Sequence, residues 1–108
     1  MENFRQYENK QEISKMEFEV PVVCYCPLGK NYYKPLLKIE LEMRNYIVDF
    51  IDLERYFKVD LNGAAKTCED LVNDVFNTLK EAYNPTKLRV CCQSDSHFII
   101  RTIKEWEE

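Results

Sequence analysis

Apolar residues at Leu71, Val72, Val75, Phe76, Leu79 and Ala82 recur at three- and four-residue spacing. That spacing lines one stripe of a helix and predicts an amphipathic helix opening near Glu69. Thr67 can accept from a free amide of the first turn, and Asp70 stands three residues on, where a capping box places its acidic member. Asn84-Pro85 ends the helix, because a residue before proline is pushed out of the helical region and proline has no amide to donate. The period then changes to two. Leu88, Val90 and Cys92 point one way and Arg89, Cys91 and Gln93 the other, as in a half-buried strand. A long helix, a tight turn and a returning strand form the centre of the chain.

Upstream, residues 1–14 are polar, carry mixed charge and show no period, the pattern of an arm that is frayed or ordered on docking. Residues 15–108 form one domain. Met16, Phe18 and Val20 alternate with Glu17 and Glu19, Pro21 marks a bend or an edge, and Val22, Cys24 and Cys26 share one face of the continuation. Pro27, Gly29 and Asn31 supply turn chemistry before a second strand, with Leu37, Ile39, Leu41 and Met43 inward. These two strands predict an antiparallel hairpin. Residues 46–50 read as extended, Asp52 as the cap of a short helix carrying Leu53, Tyr56 and Phe57, and Asn62-Gly63 as a break. Ser94-Asp95-Ser96 predicts a turn, and 97–103 a last strand. The expected class is α+β, an antiparallel sheet with helices on one face.

Composition narrows the chemistry. A chain of 108 residues with 45% hydrophobic content supports one core. A net charge of −4 argues against nucleic acid, whose affinity comes largely from lysine and arginine displacing counterions. No apolar run approaches the length of a membrane span and the start lacks the apolar core of a signal peptide, so a cytoplasmic protein without a membrane partner is expected. In that compartment Cys24, Cys26, Cys68, Cys91 and Cys92 are thiols rather than bridges. No C-x-x-C pair occurs and His97 is the single histidine, so no metal is expected. Two glycines, Gly29 and Gly63, leave no room for a Walker loop or a GxGxxG turn.

Glu69-Asp70, Asn73, Asn77, Leu79, Glu81, Pro85, Leu88 and Val90 fall, without a gap, where the QueF type of 7-cyano-7-deazaguanine reductase carries the same or a close residue. Cys26-Pro27, followed by a glycine-containing turn and a strand, resembles the nucleophile segment of that family. The resemblance spans about residues 18–103. It implies a tunnelling fold (T-fold), whose subunits associate into oligomeric barrels with sites at subunit interfaces, and so a homo-oligomer. It also implies an oxidoreductase of queuosine biosynthesis, and so of tRNA modification, binding a small purine-like ligand. Cys26 would add to the nitrile carbon to form a thioimide, which NADPH reduces to the amine. Glu69 would anchor the base, since two carboxylate oxygens can accept from both the ring N–H and the exocyclic amine of a guanine edge.

The chain departs from that pattern at several positions. Asn31, Tyr32, Tyr33 and Lys34 occupy the neighbourhood of the family's aspartate acid, and Cys68 replaces the histidine before the anchoring glutamate. The NADPH-binding motif is absent, its stretch being DFIDLERYF, so NADPH is a cofactor by resemblance alone; Asp49 or Asp52 is the candidate substitute acid. Gly29 to Tyr32 and Ile47 to Phe50 are similar to segments of the pyruvoyl- and carboxy-tetrahydropterin synthases, in which Gln93 would fall near a purine-binding glutamate. Leu28 and Lys30 stand where two of the zinc histidines of those enzymes would be. Three functions follow: a nitrile reductase, an amidinotransferase-like use of the same thioimide, and a non-catalytic purine- or pterin-binding module. In the last, Cys26 packs in the core beside Val22 and Cys24, and Glu69 is only a first-turn helix acid.

Overall fold

The computed structural model describes residues 4–95 and 97–108. In chain order the elements are β1 (Gln6–Glu8), β2 (Met16–Pro21), β3 (Cys24–Cys26), β4 (Asn31–Tyr33), β5 (Leu36–Glu42) and β6 (Tyr46–Val48). Then come α1 (Phe50–Arg55), which runs on into a π-helical segment (Tyr56–Leu61), α2 (Cys68–Tyr83), β7 (Lys87–Asp95) and β8 (Ile99–Glu107). The main sheet has the order β2-β5-β7-β8 and every pairing in it is antiparallel.

The register explains which face is covered. Phe18 lies across from Ile39, Ile39 from Val90, and Val90 from Lys104; one step along, Leu41 lies across from Leu88 and Leu88 from Trp106. These rows face α2, whose Leu71, Val75 and Leu79 are essentially without exposure. Each such side chain contributes about 1.5–3 kcal/mol of transfer free energy on burial. The row continues to the last strand through charge on aromatic faces, with Lys80 Nζ 4.3 Å from the Trp106 ring centroid and Lys104 Nζ 4.8 Å from that of Phe76. Glu17, Glu19, Lys38, Glu40, Arg89 and Glu105 alternate onto the opposite face.

α2 keeps the expected ends. The Thr67 side chain accepts from Asp70 N, and Asn84 closes the helix in the left-handed region at φ 46°, just before Pro85. Elsewhere the fold differs from expectation. The predicted first hairpin has two tiers: β2 pairs with β5 and stops at Pro21, while β3 turns aside to pair with β4. Asp49, not Asp52, caps α1, accepting from Ile51 N, because Asp52 is drawn into an ion pair. β7 runs through Asp95, which pairs with Ile99, so Ser94 and Asp95 of the predicted turn lie in strand; Ser96 lies outside the described residues. The last strand extends to Glu107, since β7 offers a partner along its whole length.

The polar arm docks in part. β1 pairs with β6, and the Phe4 ring sits edge-on to Tyr56 and Tyr83. Arg5 donates to Asp52 from its backbone N, from Nε and from Nη2 at 2.9–3.1 Å, and Arg55 donates to the same carboxylate at 2.8 Å. The Arg5 hydrogen bonds hold the Asp52 carboxyl down at about 2. A group depressed below its ordinary value contributes stability that is full above about pH 4 and is lost as pH falls through about 2. Urea midpoints measured from pH 5 to pH 2 should therefore fall more steeply for the wild type than for Asp52→Asn. Parallel curves would remove Asp52 from the acid transition.

Candidate functional site

β3 places Cys24 and Cys26 on one face with Tyr25 on the other, and in the β3–β4 ladder Cys26 lies directly across from Asn31. The turn between them is closed by Lys30 N donating to Cys26 O at 2.8 Å, with Lys30 at φ 55°. Within that turn Gly29 N donates to Cys26 Sγ at 3.3 Å. A side chain at Gly29 would have its Cβ 2.7 Å from Asn31 Oδ1, so glycine lets the turn fold tightly over both the sulfur and the Asn31 amide. Cys26 is half-buried, neither sealed in the core nor free in solvent.

The loop before α2 is tied to this hairpin by a series of hydrogen bonds, one to the Asn62 side chain and the rest between backbones. Val23 N donates to Asn62 Oδ1, Gly63 N to Val23 O, Tyr25 N to Ala64 O and Lys66 N to Tyr25 O. Gly63 takes φ 84°, a conformation other residues rarely adopt, to start this approach. Tyr25 and Ala65 form a parallel bridge, so the two segments run side by side into Cys26 on one and Thr67 to Glu69 on the other. The Cys26 end of β3 thus runs beside the residues that lead into α2, although the sequence separates them widely. The Glu69 carboxylate is exposed and has no hydrogen bond or ion pair to any described residue.

Beneath that turn lies a cluster of sulfur and phenol groups. Cys24 lies across from Tyr33, whose hydroxyl donates to Lys66 O at 2.5 Å. Half-buried Cys68 opens α2 and packs against the core that contains Cys24 and Cys92. Burial pushes the Cys24 thiol, the Cys92 thiol and the Tyr33 phenol above their ordinary values. No group of three or more histidine, cysteine or acidic side chains among the described residues has metal-binding geometry.

The remaining candidates lie elsewhere. Gln93 neighbours Cys92 on β7 and therefore points to the opposite face of the sheet, where it accepts from Arg101 Nε at 3.1 Å. Asp49 accepts from Tyr7 and from Ile51 N, and Asp52 is enclosed by Arg5 and Arg55. Burial, helped by both carboxylates, pushes the Tyr83 phenol up, and Phe4, next in the chain to the Arg5 that holds Asp52, sits edge-on to Tyr83 at the C-terminal end of α2. From Glu69 to Tyr83 the helix advances 83 − 69 = 14 residues, roughly 21 Å at about 1.5 Å per residue. The backbone runs Cys26 alongside the residues that lead into Cys68 and Glu69, while Gln93 lies on the other face of β7 and Asp49 and Asp52 on the far side of α2's length. The cysteine cluster was not foreseen; the shared face of Cys24 and Cys26 was its only visible sign.

An antiparallel four-stranded sheet with its helices on one face, entered by a hairpin and closed by a helix-strand return, is the tunnelling fold. Among solved structures, the chain is similar to the crystal structure of the archaeosine synthase QueF-Like in the apo form, with a TM-score of 0.80 over 90% of this chain and 97% of that one. The sequence identity is 17%, so the likeness carries the fold. No protein-family model matches the sequence, and no curated protein matches it. No helix among the described residues is long and apolar enough to cross a membrane.

Proposed function

We propose that the chain binds a 7-deazaguanine nitrile, forms a thioimide at Cys26 with Glu69 anchoring the base, and resolves it with ammonia or an amine. The observation that supports this is the pairing of β3 with residues 62–66, which runs the strand of half-buried Cys26 alongside the segment that leads to exposed Glu69. The Cys26 sulfur bonds to the nitrile carbon as one C–N π bond becomes a lone pair that takes up a proton. Asn31, across the ladder from Cys26, can donate its amide to that nitrogen, and the Gly29 N–H steadies the sulfur. Attack by ammonia then forms the amidine, breaks the C–S bond and returns the thiol. No hydride is needed.

The reductase reading uses the same thioimide and requires a hydride donor and an acid. DFIDLERYF, where the resembling family holds NADPH, is here α1 and its cap, with Asp49 and Asp52 occupied in holding the arm. That favours amine over hydride. The two fates separate in one experiment: protein with 7-cyano-7-deazaguanine and either an ammonium salt or NADPH, followed by mass analysis of the base. Amidine with ammonium and no amine with NADPH is the expected pair. Steady NADPH consumption would reverse the assignment.

The sheet has two edges, and each would pair with a second copy. β2 and β8 are bonded on one side only, and β8 exposes Ile99, Ile100 and Ile103. Edges of this kind are templates for strand addition. β8 runs antiparallel to β2, so a neighbour's β2 would continue the alternation of the sheet into a ring. Light scattering should show an oligomer at micromolar concentration, and Ile103→Lys, which places a charge on that edge, should shift it toward monomer. A monodisperse wild-type monomer would overturn the ring.

A further inference from the structure

The two unpaired edges of the main sheet carry complementary features. Along β2, on the side of the helices, runs an open groove of roughly 580 Å³ whose apolar lining is Phe18, Val20, Phe50, Leu53 and Phe57. Glu54 and Lys58 on its rim pair with each other at 2.5 Å, so the rim turns no unmatched charge toward an apolar guest. On β8, Ile100 shares the helix side of the sheet with Thr102, which lies across from core Cys92, and it is exposed. The opposite side of the sheet carries charge at the same two edges. There β2 presents Glu17 and Glu19, and β8 presents Arg101 between Ile99 and Ile103. Glu19 has no hydrogen bond or ion pair to a described residue, and among those residues Arg101 bonds only through Nε, to Gln93 Oε1 at 3.1 Å.

We propose that the groove beside β2 receives Ile100 from β8 of a second copy, while Arg101 of that copy closes over Glu17 and Glu19 on the opposite side of the joined sheet. This contact rests on the edge-to-edge association proposed above and does not depend on the ligand. Strand alternation restricts how the edges can meet, because only a register that keeps the two helix sides together leaves the apolar row continuous. The two such antiparallel registers that set Ile100 against Val20 or Phe18 set Arg101 against Glu19 or Glu17. The apolar and the charged match therefore arise together. Like-to-like pairing does not achieve this. β2 against its own copy sets glutamate opposite glutamate, and β8 against its own copy leaves the groove uncovered. A head-to-tail contact uses both edges and repeats from copy to copy.

The test is sedimentation velocity on the full chain over a range of concentrations, with the wild type and three variants. Ile100→Asp, which would bring a carboxylate into the groove, should raise the concentration at which the oligomer dissociates at least about tenfold. A chain carrying both Glu17→Lys and Glu19→Lys should do the same, because Arg101 of the neighbour then meets like charge. Adding Arg101→Glu to that chain should restore assembly to near the wild-type midpoint. Restoration also shows that the charge-reversed chain folds, which keeps the result from being a loss of structure. An oligomer indifferent to Ile100→Asp, or a charge reversal that Arg101→Glu does not rescue, would overturn the groove contact and leave the edge-to-edge association standing. A wild type that stays monomeric would overturn both.

Discussion

Replacing Cys26 by alanine is expected to abolish covalent capture of 7-cyano-7-deazaguanine. In the wild type, incubation with the nitrile should raise the intact mass by one ligand and produce the near-ultraviolet absorbance of a thioimide. The expectation rests on placement: Cys26 ends β3 at the turn, half-buried, with the Gly29 N–H on its sulfur and Asn31 across the ladder. Cys24, Cys91 and Cys92 are fully enclosed, so substituting any of them should leave the adduct intact. An adduct that survives Cys26→Ala would move the nucleophile to Cys68, the other half-buried thiol. No adduct at saturating ligand would favour the binding module, in which Cys26 is packing and nothing more.

Glu69→Ala should weaken binding of the same ligand by about 2–3 kcal/mol, roughly 30- to 150-fold in Kd. A guanine-like edge presents two N–H donors, and removing the carboxylate strands both. The lower part of the usual 2–5 kcal/mol range for breaking a charged hydrogen-bonded pair applies, because Glu69 is exposed in the single chain and water can replace part of the loss. Glu69→Gln keeps one acceptor but sets a donor against a donor, so it should be nearly as harmful. Calorimetry on both variants decides this, with Asp70→Asn as a control for general first-turn charge. Equal affinities for wild type and Glu69→Gln would take Glu69 out of the site.

The resemblance carried by Cys26-Pro27 and by Glu69 to Val90 pointed to the fold, and a structure sharing only 17% identity has that fold. A resemblance of this kind survives where its residues do structural work: Thr67 caps, Pro85 stops the helix, and Leu88 and Val90 fill the sheet. It was less informative at DFIDLERYF. There the loss of the family pattern was visible, but not that Asp49 and Asp52 serve instead to cap α1 and clasp the arm.

What the sequence by itself determined was every element whose signal is local and periodic. The α2 stripe, its Thr67 cap, its Asn84-Pro85 stop and the alternation of β2, β5 and β7 are all legible because 3.6- and 2-residue periods and capping chemistry act over a few neighbouring residues. Only the tertiary structure decided what depends on residues far apart in the chain. Asp52 reads as a cap until Arg5 takes its carboxylate, since a buried charge must find a partner wherever one lies. The same is true of the candidate site. The segments of Cys26 and Glu69 are tied by hydrogen bonds between residues 23–25 and 62–66, and Cys24, Cys68 and Cys92 come to one core from three separate segments. Backbone amides carry no side-chain identity, and a thiol looks the same in the sequence whether it faces the core or another thiol, so only the folded chain could bring these groups together.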